Sequence, residues 1–444
     1  MQILKFGGTS IGTPQRMHRV AKLIQADTSR LVVLSAVAGT TNRLEQFDAL
    51  LRRGGGPEIG EHLAALRESY ELFIYELYET KADRQHGRHI LDEQFARLER
   101  AAERPYTPET EKIILSQGEL LSTRLFHLYL ESQGIEAVLL PALDFMRLNA
   151  NGEPDLTQLR RALPRLLGRH AGHRLFITQG YICRNHRGAI DNLQRGGSDY
   201  SATLIGAALE ASEIQIWTDI DGIRNNDPRV VEHTFPVRQA SYREAAELAY
   251  FGAKILHPTC VLPAERQGVP IRLKNTFDPA APGTLISKAS SGHAITAIAA
   301  KDGITAIKIR SHRMLMAYGF LRRVFEVFEK HQTPIDMITT SEVAVSLTID
   351  DTARLDAIIR ELQAFGEVSV EKEQSIICVV GDQLNEQVGY GRKIFSGLAE
   401  VPIRMVSYAG SYNNVSILVS RSCKEAALRA LNRQVFPTLE AAYE

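Results

Sequence analysis

The first segment that could do chemistry is a pair of glycines, Gly7-Gly8, between a short apolar segment and a helical pattern. Glycines allow a backbone to approach a phosphate closely, and the start of the following helix offers free N–H groups to an anion. Lys5, just before the pair, would add a positive charge for the β- and γ-phosphates of a nucleotide. The turn is not a Walker A loop, because Gly12 is followed by Thr13 rather than by lysine.

Two other interpretations of this turn compete with phosphate binding. It is also typical of a plain strand–helix connection in which Thr9 or Ser10 caps the helix, and the pattern by itself does not separate the two. Residues 8–12 further match the G-x-S-x-G nucleophile elbow of hydrolases. Only seven residues precede Gly8. The elbow would then lack the earlier strand–helix loop that donates to an oxyanion, so we do not expect a hydrolase.

A second group of polar residues is Arg195-Gly196-Gly197-Ser198-Asp199, which precedes an apolar helical segment. An arginine beside two glycines at a helix start suits a carboxylate ligand, since the guanidinium binds both oxygens and the backbone adds N–H donors. A simple helix N-cap at Ser198 or Asp199 is the alternative. That alternative leaves the occurrence of all five residues together unexplained.

Polar residues also follow a strand-like segment at 214–217, in the sequence Thr218-Asp219-Ile220-Asp221-Gly222 and then Asp227-Pro228-Arg229. They are expected at the carboxyl end of a strand, where open α/β sheets bind ligands. An EF-hand is excluded, because the glycine is fourth rather than sixth from Asp219 and the twelfth position is Val230 rather than glutamate.

Three single residues complete the candidates. Lys254, in the segment 251–258, is a second candidate cation for phosphate, although a lone lysine is usually a solvated helix residue. Glu119 could hold an ammonium group, with an ordinary helix-surface glutamate as the alternative. His257 has no ligand partner at metal spacing, so we expect a structural role for it.

Composition excludes several classes of protein. The 444 residues include 52 Lys and Arg against 52 Asp and Glu, with 44% hydrophobic and 23% charged residues. This balance favours globular domains and predicts neither nucleic acid nor a membrane as partner. No apolar run approaches the ~18 residues of a membrane helix, and no signal peptide is visible. Four scattered cysteines fit a cytoplasmic protein without disulfides or a zinc site.

The elements that must position these residues follow an α/β rhythm. Strand-like runs alternate with helical segments, which predicts a parallel sheet. These runs occupy residues 3–6, 31–35, 137–140, 175–178, 214–217 and 271–274. A long charged helical segment covers 43–133, and a boundary rich in Pro, Ser and Gly lies at 278–292.

The C-terminal third of the chain repeats with an offset of about 70 residues. Gly319-Phe320 resembles Gly389-Tyr390, and Pro334-Ile335 resembles Pro402-Ile403. Each copy predicts the order strand, helix, strand, strand, helix, strand of a ferredoxin-like domain. Two such copies after a large α/β domain indicate a sensor attached to an enzyme, with a duplicated dimerisation module as the alternative.

Together these motifs resemble the aspartate kinase (aspartokinase) family of the amino acid kinase superfamily, in the family's order and over essentially the whole chain. The resemblance implies an α/β amino acid kinase fold, a mainly parallel sheet sandwiched by helices, at residues 1–285 including the helical segment 43–133. Two ferredoxin-like (α+β) ACT domains would follow at 295–444. The first, about 303–372, would be inserted in the second, about 295–301 plus 375–444, to which residues 295–299 would give the first strand.

The resemblance also implies an activity. The protein would phosphorylate the β-carboxylate of L-aspartate with Mg-ATP, giving 4-phospho-L-aspartate and ADP, the first step towards lysine, threonine and methionine. ATP and Mg²⁺ are the implied cofactors, with no resident metal ligands. A monofunctional enzyme without an attached homoserine dehydrogenase is expected, as a homodimer or higher oligomer formed through the ACT domains.

Site residues follow from matching positions in the family's motifs. The implied catalytic residues are Lys5, Asp199 and Lys254. The implied aspartate-binding residues are Ser35, Thr41, Glu119, Arg195 and Ser198. The implied nucleotide-binding residues are Lys5, Gly7, Gly8, Ser10, Thr218, Asp219, Arg224, Arg229 and Lys254. The implied effector-binding residues are Met314, Gly319, Phe320, Leu321, Ile335, Asp336, Ser341 and Glu342.

The chemistry needs no general base, because a carboxylate with a pKa of about 3.9 is already ionised at neutral pH. We therefore expect Asp199 to organise the lysines and the glycine turns rather than to accept a proton. Lysine is the favoured inhibitor and threonine its rival, with Asp336 paired to the effector ammonium. The chain departs from the family pattern at Gln194, Arg224, Met316 and Ala317.

Two alternative functions remain open from the sequence. One is a kinase for another acid, such as glutamate or N-acetylglutamate. The other is a regulatory subunit that binds an amino acid without catalysis. A free amino acid as substrate is favoured by Glu119 and Arg195 together, and Lys5, Asp199 and Lys254 argue against loss of activity.

Overall fold

A computed structural model describes residues 1–193, 196–252, 256–290, 292–311 and 318–436. The chain forms two compact units: Met1–Ile223 with Ile255–Ala289, and Arg224–Lys254 with Ser290–Glu444. This division differs from the expected boundary near residue 285, because residues 224–254 pack with the C-terminal unit. The expected limits of the kinase domain and of the two ACT domains stay predictions. None of the described helices is long and apolar enough to cross a membrane.

The strands found among the described residues are named in chain order across both units. They are β1 (Gln2–Phe6), β2 (Arg30–Leu34), β3 (Val138–Leu139), β4 (Leu175–Gln179), β5 (Ile182–Arg184), β6 (Ile190–Asn192), β7 (Glu213–Thr218), β8 (Gln239–Ser241), β9 (Ile271–Asn275), β10 (Thr284–Ser287), β11 (Ala297–Arg310), β12 (Ile338–Thr340), β13 (Ala344–Ile349), β14 (Glu367–Val380), β15 (Ile403–Ser411) and β16 (Asn414–Ser420).

The α-helices are named in the same way. They are α1 (Pro14–Leu23), α2 (Thr40–Arg52), α3 (Glu58–Leu77), α4 (Lys81–Ala102), α5 (Pro108–Ser132), α6 (Ala142–Phe145), α7 (Leu156–Gly168), α8 (Gly197–Ala208), α9 (Tyr242–Tyr250), α10 (Val261–Gln267), α11 (Phe320–Lys330), α12 (Leu355–Leu362), α13 (Tyr390–Gly397) and α14 (Lys424–Val435).

The first unit is built on a twisted sheet with the strand order β3-β4-β2-β1-β7-β9-β10. Every pairing from β3 to β9 is parallel, and β10 runs antiparallel to β9. Strand β2 is apolar without alternation because helices cover both faces of the sheet, and residues 31–34 are all buried. The predicted parallel α/β sheet is thereby confirmed.

The helical segment predicted at 43–133 forms α2 to α5. Two of these helices start with a capping residue. At the start of α4, the side chain of Thr80 accepts a hydrogen bond from the amide of Asp83, and at the start of α5, Thr107 and Thr110 form a capping box. The apolar faces of these helices pack on one core with β1 and β2. This arrangement carries α5 past the carboxyl ends of the strands.

The second unit contains a sheet with the strand order β12-β13-β11-β14-β16-β15. Strands β11 and β14 are 14 residues each and run through both copies of the repeat. Residues 305–310 pair with β13, whereas residues 297–301 pair with residues 376–380. Helices α11 and α12 pack on the first copy and α13 and α14 on the second. Both copies are thus ferredoxin-like, as predicted.

The short segment 297–301 has an unexpected place in the second copy. It comes first along the chain, but it pairs beside the second half of β14. In the first copy, the first strand is the second half of β11, and its neighbour on this side is the last strand of that copy, the first half of β14. The segment therefore occupies the last-strand position of the ferredoxin-like order, because the first copy is inserted after it.

Candidate active site

The carboxyl ends of β1, β2, β4 and β7 meet at one edge of the first sheet, where open α/β sheets bind ligands. Lys5 lies near the end of β1, and its Nζ is 2.5 Å from Oδ1 of Asp199 in the first turn of α8. The two side chains are 10% and 18% exposed. The structure thus pairs two of the three predicted catalytic residues at the carboxyl edge of the sheet. The third, Lys254, lies outside the described residues.

The Gly7-Gly8 turn is closely surrounded. A Cβ added to Gly8 would lie 2.9 Å from the carbonyl oxygen of Ala36, and one added to Gly7 would lie 3.3 Å from Nζ of Lys5. The Gly8 position therefore requires glycine because its neighbour is backbone, whereas at Gly7 the neighbouring atom is the end of a flexible lysine side chain. The turn enters a 3₁₀ helix, Gly8–Ile11, before α1 begins at Pro14.

Ser10 is fully buried in the turn. Its hydroxyl donates to the carbonyl oxygen of Trp217 at 3.3 Å and shares a 2.7 Å hydrogen bond with Oγ1 of Thr276. The side chain joins the turn to the ends of β7 and β9. The Ser10 hydroxyl thus holds the loop, and its predicted nucleotide contact stays a prediction.

The loop of residues 35–41 is joined to helix α5. The amide of Ala36 donates to Oε1 of Glu119 at 3.2 Å, and the hydroxyl of Ser122 donates to the carbonyl oxygen of Ser35 at 2.7 Å. Gly118 permits this approach, since a Cβ there would lie 2.8 Å from Cβ of Ala36. Thus Ser35 and Glu119 are brought together, with Gly118 as a positioning residue that the motifs did not indicate.

Glu119 is only 4% exposed, so it is not a helix-surface glutamate. Burial raises the pKa of its carboxyl group to about 8, and the hydrogen bond from the amide of Ala36 opposes that rise only in part. A carboxylate in this environment gains most from a cationic ligand. The geometry therefore suits the ammonium group of an amino acid.

The start of α8 depends on tight backbone contacts. Gly196 and Gly197 have φ angles of 79° and 47°, which favour glycine, and a Cβ on Gly196 would lie 2.5 Å from Sγ of Cys260. Burial raises the pKa of the Cys260 thiol, so it acts as a packing residue. Ser198 packs directly against Gly180, which follows β4. Arg195 lies outside the described residues.

Thr218 is the last residue of β7, and Asp219 follows it at the same edge of the sheet. Oγ1 of Thr218 accepts a hydrogen bond from the amide of Ile220 at 3.2 Å, and Asp219 is exposed. Within the second unit, Arg224 donates from Nε to Oγ1 of Thr234 at 2.6 Å. There too, Arg229 donates to Asp227 through Nε at 2.9 Å and Nη2 at 2.8 Å, and these bonds lower the pKa of Asp227.

Comparison with known proteins bears on both parts of the chain. Residues 1–275 match the amino acid kinase family, and residues 377–435 match the ACT domain. Over 98% of its length the chain is 35% identical to the lysine-sensitive aspartokinase 3 of Escherichia coli, covering 99% of that protein. The chain belongs to the aspartokinase family. It is also 34% identical, over 98% of its length and 82% of the relative, to chloroplastic aspartokinase 3 of Arabidopsis thaliana.

Two solved structures of E. coli aspartokinase III resemble this aspartokinase-family chain throughout. The R-state complex with aspartate and ADP superposes with a TM-score of 0.85 at 34% identity, covering 98% of this chain and 100% of that one. The T-state complex with lysine and aspartate gives 0.83 at 35% identity, covering 98% and 99%. The family and fold inferred from the motifs are confirmed, whereas the roles of individual site residues stay predictions.

The predicted effector residues of this aspartokinase-family chain lie in the first ACT copy. Gly319, with φ of 77°, precedes α11, and Phe320 is buried there while Leu321 is partly exposed. Ile335 is half-buried, and the turn at Ser341-Glu342 is exposed. Met314, with the departures at Met316 and Ala317, lies outside the described residues.

Asp336 already has a cationic partner inside the chain. Its side chain is 3% exposed, and its Oδ1 is 2.8 Å from Nζ of Lys301 and accepts a 2.9 Å hydrogen bond from the hydroxyl of Tyr250. Lys301 also lies 2.8 Å from Oδ2 of Asp350. Burial opposes the charge of Lys301, but the hydrogen bonds to both carboxylates outweigh it and raise its pKa. The predicted effector carboxylate is thus held by an internal ammonium group.

Proposed function

We propose that this chain is an aspartate kinase, which transfers the γ-phosphoryl group of ATP to the β-carboxylate of L-aspartate. The observation that carries the proposal is the Lys5–Asp199 pair at the glycine turn, in a site that also holds the buried Glu119. Family membership supports the same activity, since a related enzyme of known structure binds aspartate and ADP. ATP is the phosphoryl donor.

The arrangement divides the work between two sets of groups. Lys5, kept in place by Asp199, neutralises the phosphates that approach the glycine turn. Glu119 in its ionised form holds the substrate ammonium, while Ser35, Thr41 and Ser198 surround the rest of the amino acid. Because the attacking carboxylate is already ionised, positioning and charge neutralisation replace base catalysis.

Mg²⁺ is part of the proposal. The described residues contain no group of three His, Cys, Asp or Glu side chains that could hold a metal ion. We propose that Mg²⁺ arrives with the nucleotide, because Mg²⁺ usually keeps several waters and binds substrate phosphates rather than an all-protein cage. When bound, it would neutralise charge on the phosphates.

An acyl-phosphate trap tests this activity. The protein is incubated with Mg-ATP, hydroxylamine and aspartate, glutamate or N-acetylglutamate in turn, and the hydroxamate is measured. We expect a signal with aspartate alone and its loss in Lys5→Met. A signal with glutamate or N-acetylglutamate instead would favour another acid kinase. No hydroxamate signal with any of the three acids would favour a regulatory amino-acid-binding subunit.

Inhibition by lysine is the proposed regulation, with threonine as the rival effector, and the family relative in its T-state binds lysine. Oδ2 of Asp336 is buried and makes no hydrogen bond within the described part of the chain. Since Lys301 already contacts Oδ1, an effector ammonium would either use Oδ2 or displace Lys301. Asp336→Ala should abolish inhibition by lysine, and unchanged inhibition would refute this assignment.

We also propose assembly into a dimer or larger oligomer through the ACT copies. Leu321, Phe325 and Val343 are partly exposed apolar side chains of the first copy. Covering such side chains with a second copy would remove apolar surface from water. Sedimentation of the purified chain measures the assembly, and a monomer at all concentrations would contradict it.

A further inference from the structure

We propose that Tyr70, which lies outside every motif, is a positioning residue for the aspartate-binding loop; this inference rests on the proposed function. Tyr70 belongs to α3 in the helical segment and is 4% exposed. Its hydroxyl shares a 2.6 Å hydrogen bond with Oγ1 of Thr40, which is itself 5% exposed. The bond thus joins two buried hydroxyl groups from different helices.

The position of Thr40 gives this bond its consequence. Thr40 is the first residue of α2 and directly precedes Thr41, a proposed aspartate contact. The residue before it, Gly39, has φ of 81°, so the chain turns sharply between the loop and the helix. Fixing the Thr40 side chain therefore fixes where Thr41 points as the helix begins.

The other end of the loop is held by α5. There Ala36 bonds to Glu119, and Ser122 bonds to the carbonyl oxygen of Ser35. Tyr70 of α3 holds the opposite end of the loop through its hydrogen bond to Thr40. Two helices thus hold the two ends of residues 35–41, which places Ser35 and Thr41 at a set separation.

Thr40 also contacts the glutamate's own helix. Its Cγ2 would be 3.4 Å from a Cβ added to Gly118, so Thr40 lies against the backbone next to Glu119. Burial raises the pKa of Tyr70, and the negative charge of Glu119 adds to that rise. Tyr70 therefore remains a neutral hydrogen-bonding group within electrostatic reach of the residue proposed to hold the substrate ammonium.

Tyr70→Phe removes one hydroxyl and leaves the ring packing intact. We expect the KM for aspartate, and its dissociation constant measured calorimetrically without nucleotide, to rise about 3- to 10-fold, the range that corresponds to one neutral hydrogen bond. The KM for ATP should stay within about twofold of wild type, because the nucleotide turn has other supports. Thr40→Val should have the same effect, and the double variant should be no worse than either single one.

Tyr78→Phe is the matched control. The hydroxyl of Tyr78 donates to the carbonyl oxygen of Leu125 at 2.7 Å and is equally buried, but away from the loop. It should lose similar stability and keep the wild-type KM for aspartate. The proposal is overturned if Tyr70→Phe keeps the wild-type KM, or if both variants raise it equally through general loosening. Wild-type protein that phosphorylates no aspartate in the same assay would instead contradict the proposed function.

Discussion

Aspartate binding should depend on pH through Glu119. The pKa of about 8 means that the empty site is mostly protonated at pH 7, whereas an ammonium ligand prefers the ionised carboxylate. Roughly one molecule in ten is ionised at pH 7 and half at pH 8. If only the ionised form binds, the apparent affinity for aspartate rises about tenfold from pH 6 to 7 and about fivefold from pH 7 to 8.

Calorimetry at pH 6, 7 and 8 measures this dependence. Repeating the titration in two buffers of different ionisation enthalpy counts the protons released, which should approach one per aspartate at pH 7. Glu119→Gln should bind aspartate more weakly and without this pH dependence. Equal affinity at pH 6 and 8 in the wild type, or an equal slope in Glu119→Gln, would refute the reasoning.

The same group makes a second, ligand-free measurement possible. Because the pKa of Glu119 is raised on folding from 4.5 to about 8, the folded protein keeps a proton that the unfolded chain releases between those values. The contribution of Glu119 to stability is therefore greatest below pH 4.5 and falls as pH rises towards 8, by up to about 1.4 kcal/mol per pH unit. Urea unfolding at pH 6, 7 and 8 should show that the free energy of unfolding of wild type falls relative to that of Glu119→Gln as pH rises. A constant difference between the two proteins would count against the buried-acid assignment.

Three further variants test other parts of the structure. Asp199→Asn should lower kcat by about 100-fold through misplacement of Lys5, without loss of a titrating limb near neutrality in the pH–rate profile; loss of one would indicate a base. Gly118→Ala places a Cβ 2.8 Å from Cβ of Ala36, and it should cost about 1–3 kcal/mol in urea unfolding while raising the KM for aspartate; wild-type values would contradict the close approach. Lys301→Met frees Asp336 from its internal ammonium and should lower the half-inhibiting lysine concentration about tenfold, whereas an unchanged value would mean that the effector does not compete with Lys301.

Much of the first unit could be predicted from the sequence. The strand-like runs at 3–6, 31–35, 175–178, 214–217 and 271–274 became β1, β2, β4, β7 and β9. Run 31–35 is almost entirely apolar because β2 is buried on both faces, whereas 271–274 alternates apolar and charged residues. The run at 137–140 shortened to the two residues of β3. Strand β10 was missed, since its four residues, Thr284–Ser287, contain only two adjacent apolar residues.

The packing of residues 224–254 with the second unit could not be predicted. The segment continues the α/β rhythm locally, and the motif Asp227-Pro228-Arg229 belongs to the kinase signature. Its partners are distant in sequence: Asn225 and Asn226 bond to Asn432 in α14, and Glu244 bonds to Thr296. Such pairings depend on which surfaces meet, and local periodicity contains no information about them.

For the proposed site, the sequence by itself determined the chemical groups and their order along the chain. Glycine turns, a lysine at a strand end and an arginine beside glycines are local features, because residue type and spacing set backbone conformation and charge. The family followed from those same features.

Only the tertiary structure decided which of these groups meet and what surrounds them. It paired Lys5 with Asp199, joined Tyr70 to Thr40, and gave Asp336 the ammonium of Lys301. It also buried Glu119 and so raised the pKa of its carboxyl group. Distances between remote residues and the removal of water from a charge are properties of the packed chain, which is why neither could be derived from the order of the residues.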